Sequence, residues 1–311
     1  MFDNNRTSSL DILPSLVAAL SWGAMFPIAA SALHHVDPFP LTAIRYGVAA
    51  IVFLGLLYAV EGRKAIDTGG RGKELFILGS IGFAGFNLLS YVGLEHTRPQ
   101  DAALIVASQP LLMVLALWLM YKKAPARTTL IAMGVALLGV TLVITRGHPT
   151  QLSGGGSDLM ILVGSAMWVV YTLGARRFPE FSPLRYTAIS AGYGTLTILA
   201  ATAIAVGFSS ERLPGTDDLT AVWGQILFVV FLGGIVGVLA WNEGIKRLGP
   251  PNGSLFINLV PVVTFAIAIG QGYRPGAIEL TGALLTMLAL IGANLTGRQV
   301  IRRPAWATAR S

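Results

Sequence analysis

The stretches GLEHTRPQDAALIVASQPLLM (residues 93–113) and GIKRLGPPNGSLFINLVPVVT (residues 244–264) decide how this chain is built. Laid on each other without a gap, at an offset of 151 residues, they pair Gly93 with Gly244, Pro99 with Pro250, Leu104 with Leu255 and Pro110 with Pro261. Three of those four pairs are backbone punctuators, which shared apolar composition alone does not bring into register. Each stretch also sets an amide side chain, Gln109 or Asn258, close to the proline that interrupts an apolar run. Trp22 and Trp168 pair similarly in the first apolar run of each half. The chain reads as two copies of one unit.

Composition identifies the solvent. Of 311 residues, 54% are hydrophobic and only 12% charged, about half the charged fraction of an ordinary soluble domain. So little charge cannot coat a globule, and apolar runs near the roughly 17–25 residues that cross a bilayer recur from end to end. The expected fold is an all-α polytopic membrane protein. Its ten transmembrane helices are expected at about 12–32, 39–58, 75–94, 102–121, 128–145, 158–175, 184–207, 221–242, 253–272 and 277–296. The first run is read as a span and not a cleaved leader, because Asp3 and Asp11 oppose Arg6 and the apolar part is too long. The absence of cysteine removes disulfides, thiol chemistry and thiolate metal sites. The net charge of +7 is carried by short segments between apolar runs, which fits a membrane surface and not nucleic acid.

The loops orient the spans. With the N-terminus inside, seventeen Lys and Arg fall in inside segments and four (Arg98, Arg146, Arg212 and Arg274) in outside ones. The positive-inside rule then predicts that both termini are cytoplasmic. HPTQLSGGGSD (148–158) divides the spans five and five. This predicts a first repeat at 1–147, an outside Gly-rich linker at 148–157, a second repeat at 158–297 and a basic cytoplasmic tail at 298–311. An odd number of spans per copy inverts the second copy, an architecture recurrent in transporters whose substrate binds near the midplane between the halves.

Within the repeat, Asp101 and Asn252 follow the first prolines and are expected to cap the fourth and ninth helices. Pro110 and Pro261 then fall nine residues later, deprive the carbonyls of Val106 and Ile257 of their helical partners and kink both helices. In hydrocarbon those carbonyls need another donor. Gln109 and Asn258 bring amides to the two breaks, either as glue to a neighbouring helix or as the lining of a polar cavity between the halves.

Arg45, in PLTAIRYG, is an intramembrane cation suited to a substrate carboxylate, with snorkelling to the outer headgroups as the competing reading. Under the second-half alignment its counterpart is Ala188. Asn87 and Tyr91 share one helical face. Trp22, Trp168, Tyr171 and Trp241 add aromatic surface with polar edges, which suits an amphipathic solute or ordinary helix packing. Gly233 and Gly237 have the spacing of a close helix contact. Glu95, Asp101, Glu243 and Glu279 all map near span ends, so no acid marks a proton path at mid-membrane. There is no phosphate loop, zinc-protease or nucleophile-elbow motif, so an enzyme, a cofactor and a metal site are not expected.

Ten spans in two halves, SWGAMF (21–26), PLTAIRY (40–46) and the paired stretches of the opening together resemble the EamA-type branch of the drug/metabolite transporter superfamily. The resemblance covers nearly the whole chain. It implies a bacterial inner-membrane carrier, commonly an exporter of amino acids or related metabolites, working by alternating access. It also implies a cavity lined by spans of both halves other than the fifth and tenth. The family's Gly-Glu pair after the fourth and ninth spans is replaced here by YKKAPA (121–126) and GQGYRPG (270–276), with no glutamate. The expected partners are a small-molecule substrate and the lipid bilayer. A drug, sugar or nucleotide-linked solute is the alternative cargo, and the oligomeric state is left open.

Overall fold

A computed structural model of the chain describes residues 11–122, 124–125, 127–146, 155–248 and 254–300. Among them no strand occurs, and the main helices are α1 (Leu13–Ala32), α2 (Pro38–Glu61), α3 (Gly72–Glu95), α4 (Pro99–Tyr121), α5 (Arg127–Thr145), α6 (Gly156–Arg177), α7 (Pro183–Gly207), α8 (Trp223–Leu248), α9 (Leu259–Gly270) and α10 (Ala277–Val300). Seven of them, α1 to α4 and α6 to α8, are long and apolar enough to cross a membrane. The other three contain shorter apolar stretches. A six-residue helix, Thr216–Ala221, and a tight 3-10 segment, Ser254–Asn258, lead into α8 and α9. Large apolar side chains such as Ile51, Leu119, Ile131 and Leu288 point outward, as a lipid-facing surface requires.

Proline opens several of these helices. It stands in the first turn of α1, α2, α4 and α7, where a missing N–H goes unused. The cap expected at Asp101 is corrected by this detail. Helix α4 begins earlier, at Pro99 after Arg98, and makes no side-chain cap bond. Asp101 lies inside the first turn, where it instead accepts two bonds from the Arg98 guanidinium at 2.9 and 3.0 Å. Asn252 and its preceding Pro250, most of the expected linker, and the tail beyond residue 300 lie outside the described residues.

Both expected helix breaks have a common form. Helix α4 is interrupted at Ser108, whose hydroxyl turns back onto the Ile105 carbonyl at 2.6 Å, and it resumes at Gln109. The 3-10 segment likewise ends at Asn258, and α9 starts at Leu259. Pro110 and Pro261 thus stand in the first turn of a restarted helix, where proline removes no intrahelical bond.

The halves pack through each other and not side by side. Helix α1 lies against α8 and α9, α6 lies against α3, and α2 pairs with α7. The α3–α7 crossing is close enough that a Cβ at Gly79 would lie 2.2 Å from the Ser190 carbonyl oxygen, which only glycine avoids. Helices α5 and α10 pack on one another, and a Cβ at Gly139 or at Gly282 would lie 2.6 Å from the other's carbonyl oxygen.

Two wide π-helical segments were not legible in the sequence. Ser80–Gly85 lies within α3 and Phe228–Val236 within α8. The first, moved by the offset of 151, falls on residues 231–236 inside the second. Each packs on the first helix of the opposite half: Gly82 against Tyr171, and Gly233 against Met25. Such segments shift backbone groups off the helical ladder and recur at functional sites.

Candidate functional site

The start of α2 sets Arg45 two turns into the helix, where its side chain turns inward between the two main apolar clusters. Tyr46 belongs to one cluster and Tyr91 to the other. Arg45 is only 3% exposed, so the snorkelling reading is overturned. The guanidinium donates to Asn87 Oδ1 at 3.2 Å, to the Tyr91 hydroxyl at 3.0 Å and to the Gly233 carbonyl at 3.4 Å. It also lies 5.0 Å from the centre of the Tyr46 ring and 5.7 Å from that of Tyr91. These partners are neutral dipoles and π faces, and among the described residues no carboxylate pairs with Arg45. Its Nε finds no hydrogen-bond partner at all.

The supports around the cation are themselves held. Asn87 anchors its amide nitrogen on the Phe83 carbonyl at 2.8 Å, inside the first π segment, and takes a second bond on Oδ1 from the Tyr46 hydroxyl at 3.0 Å. The Gly233 carbonyl, in the second π segment, also accepts the Trp22 indole N–H at 3.0 Å. Trp22 in turn lies 5.5 Å from the Trp241 ring. The structure thus brings Trp22, Arg45, Asn87, Tyr91 and Trp241 into one region, from α1, α2, α3 and α8.

It does not bring Trp168 and Tyr171 there. Those rings pack with Phe83, Phe86 and Tyr186 in an aromatic stack, and the Tyr171 hydroxyl lies 3.1 Å from Ser190 Oγ. Ser190 is the true counterpart of Arg45, which corrects the pairing with Ala188. The helices α2 and α7 start at Pro38 and Pro183, an offset of 145, which superposes TAIR (42–45) on TAIS (187–190). Matching PL (40–41) with PL (183–184) gives instead the offset of 143 that set Ala188 against Arg45.

Gln109 is half-buried at the break in α4. Asn258 is 4% exposed, and neither its amide oxygen nor its nitrogen has a hydrogen-bond partner. Tyr46, Gly233 and Gly234 complete the Arg45 region and were not singled out as site residues from sequence. The backbone signal available was the cluster of glycines in LGGIVG (232–237), which read only as a packing motif.

Buried acids cluster elsewhere. Glu279, at the start of α10, is 3% exposed and meets Arg98 at 2.6 Å, together with the Tyr273 hydroxyl. Arg98 also reaches the Val143 carbonyl at 3.2 Å, so one guanidinium ties together α4, α5 and α10. At the opposite helix ends, Arg71 bonds Glu74 at 3.0 Å and Glu180 at 3.3 Å and lies 3.8 Å from the Phe178 ring centre, joining the α2–α3 and α6–α7 loops.

A two-copy helical membrane fold with a polar site buried between the copies defines a class of solute transporters. The profile of the EamA-like transporter family matches this chain twice, at residues 10–145 and 156–295, and the chain belongs to that family. It is 36% identical over 294 residues to the uncharacterized transporter YrdR of Bacillus subtilis, covering 92% of each chain. It is 34% identical over 290 residues to YyaM of the same organism, named in the same way, again covering 92% of each. A solved crystal structure with 22% sequence identity superposes with a TM-score of 0.63 over 94% of this chain and 99% of its own, which shows the shared fold. The family and these relatives are named as transporters, and the chain is a multi-pass membrane transporter and not an enzyme.

Proposed function

We propose that the chain exports small carboxylate-bearing metabolites, amino acids or their close relatives, across the bacterial inner membrane by alternating access. The observation that carries this reading is Arg45, a buried guanidinium without an acid partner among the described residues. An intramembrane cation held only by neutral groups is stabilised further by any anion that reaches it. More distant relatives are named an aromatic amino acid exporter, YddG of Ancylobacter novellus (25% identical), a probable amino-acid metabolite efflux pump of Salmonella typhimurium (24%) and a biotin transporter of Escherichia coli (23%). Amino acids and biotin differ in body and share a carboxylate.

In this reading the ten helices are ten spans in two inverted five-helix repeats, with both termini cytoplasmic, as the charge asymmetry of the loops supports. Arg45 takes the carboxylate, Asn87 and Tyr91 hold it, and Trp22 and Trp241 flank the apolar body of the solute. Gln109 and Asn258 sit at the breaks beside Pro110 and Pro261, which let the helix halves pivot as access alternates. Trp168 and Tyr171 support the fold from the aromatic stack of the other half. Counterflow in proteoliposomes over a panel of labelled carboxylates, sugars, nucleotides and cationic drugs tests the proposal. We expect saturable counterflow of a carboxylate that is lost in Arg45→Gln. Counterflow confined to sugars, nucleotides or drugs sinks the substrate claim and leaves the fold intact.

A further inference from the structure

An amino acid brings two charges into a binding site, and the surroundings of Arg45 answer only one of them. The guanidinium is enclosed by α2, α3 and α8, and the groups that touch it are Asn87 Oδ1, the Tyr91 hydroxyl, the Gly233 carbonyl and two tyrosine rings. Its Nε edge, which has no partner, faces the α8 backbone at Gly234, where a Cβ would lie 3.6 Å away. The buried carboxylates of the described residues belong elsewhere. Asp101 and Glu279 bind Arg98, and Asp158 accepts from Thr97 at 2.9 Å. An ammonium group entering beside Arg45 would lose its hydration next to a like charge, with no buried carboxylate among the described residues to receive it. A desolvated ion without a partner is among the most unfavourable states a low-dielectric interior offers.

We infer that the Arg45 site selects organic monocarboxylates that carry no free ammonium group, such as 2-oxo, aryl-alkanoic or N-acylated acids, over the zwitterionic amino acids of the same body. The inference rests on the reading of the chain as a carboxylate carrier and narrows it. Binding of such an anion balances the one buried charge of the site, so each turnover moves a single negative charge across the membrane. Flux is then set by the membrane potential, with about tenfold accumulation for each ~60 mV.

The pair 3-phenylpropionate and phenylalanine isolates the effect, because the two differ only by the ammonium group. Purified carrier in liposomes, with a potassium diffusion potential set by valinomycin, is loaded with each labelled solute in turn. We expect 3-phenylpropionate to bind and move at least tenfold better, and its flux to rise when the compartment it leaves is made negative. Arg45→Lys, which keeps the charge, is expected to retain the order of preference. Arg45→Gln is expected to lose it, with both proteins checked for folding by gel filtration and thermal melting. Equal or better handling of phenylalanine, or flux indifferent to potential, overturns the inference while the carrier reading stands. Failure of both solutes to bind or move, in protein that counterflows a sugar or a drug, removes the carboxylate reading and this inference together.

Discussion

Arg45 and Ser190 stand at matching positions of TAIR and TAIS in the two halves, and their surroundings differ in kind. Around Ser190, on α7, the hydroxyl bonds the Tyr186 carbonyl and Tyr171, and Tyr171 stacks on Tyr186 in an aromatic cluster. That region is neutral and closely packed, and the glycine contact at Gly79 leaves no room in it. Around Arg45 the neighbours are a buried charge with an orphaned Nε and the glycine backbone at Gly234. A repeat supplies two similar frameworks, and divergence at one position leaves one of them neutral and closely packed and the other with a buried charge.

The largest effect is expected where this contrast is broken directly. Arg45→Ala should lower carboxylate counterflow on the order of 100-fold, the loss of a charge-assisted bond of about 3 kcal/mol. Ser190→Ala should change it less than about threefold, since an interhelical hydroxyl bond in a membrane is worth about 0.6 kcal/mol. Comparable losses in both variants, measured at equal amounts of folded protein, would mean that the two regions share one role.

A smaller effect sharpens the comparison between the two breaks. Asn258→Leu removes a buried amide whose oxygen and nitrogen are both unpartnered, and should raise thermal stability in detergent by about 1 kcal/mol while lowering flux. Gln109→Leu, at the half-buried amide beside the other break, should leave stability within about 0.5 kcal/mol. A stabilised Asn258→Leu protein with unchanged flux would take Asn258 off the transport path.

The smallest effect concerns the loops that join the halves. Glu211, after α7, accepts the Phe39 N–H at 3.3 Å, and Asp37 accepts the Arg212 N–H at 2.5 Å. Burial, together with nearby Asp37 and Glu95, pushes the Glu211 carboxyl up to about 6. The protonated form is therefore favoured in the folded chain. Stability from this group is fully present below the unfolded value of about 4.3 and is lost as pH rises through about 6. Melting in detergent should rise by about a degree as pH falls across that window, solvent screening keeping the effect small. Glu211→Gln should flatten the change, and a slope of the same size in the variant would assign it to another group.

Much of this fold is one-dimensional information. Apolar runs, matched punctuators and the loop charges are properties of consecutive residues, and they predicted the helices to within a few positions at most ends. The register between Arg45 and Ser190 was hidden because PL recurs at 40–41 and 183–184 and invites an offset of 143, and the π segments by the lack of any local composition that separates them from α-helix. Asn87 and Tyr91 were legible as a pair because four-residue spacing places them on one face. Their joint grip on Arg45 was not, because it joins residues more than forty positions apart.

The sequence by itself determined a two-copy helical membrane protein with an arginine within its second apolar run, because burial of apolar side chains in lipid is decided by composition along the chain. Only the tertiary structure decided that Arg45 faces inward, that Gly233 supplies it a carbonyl from the other half and that Asp101 and Glu279 bind Arg98 instead. Those outcomes depend on which helices meet and at what depth, and such contacts follow from packing that no single stretch of the chain encodes.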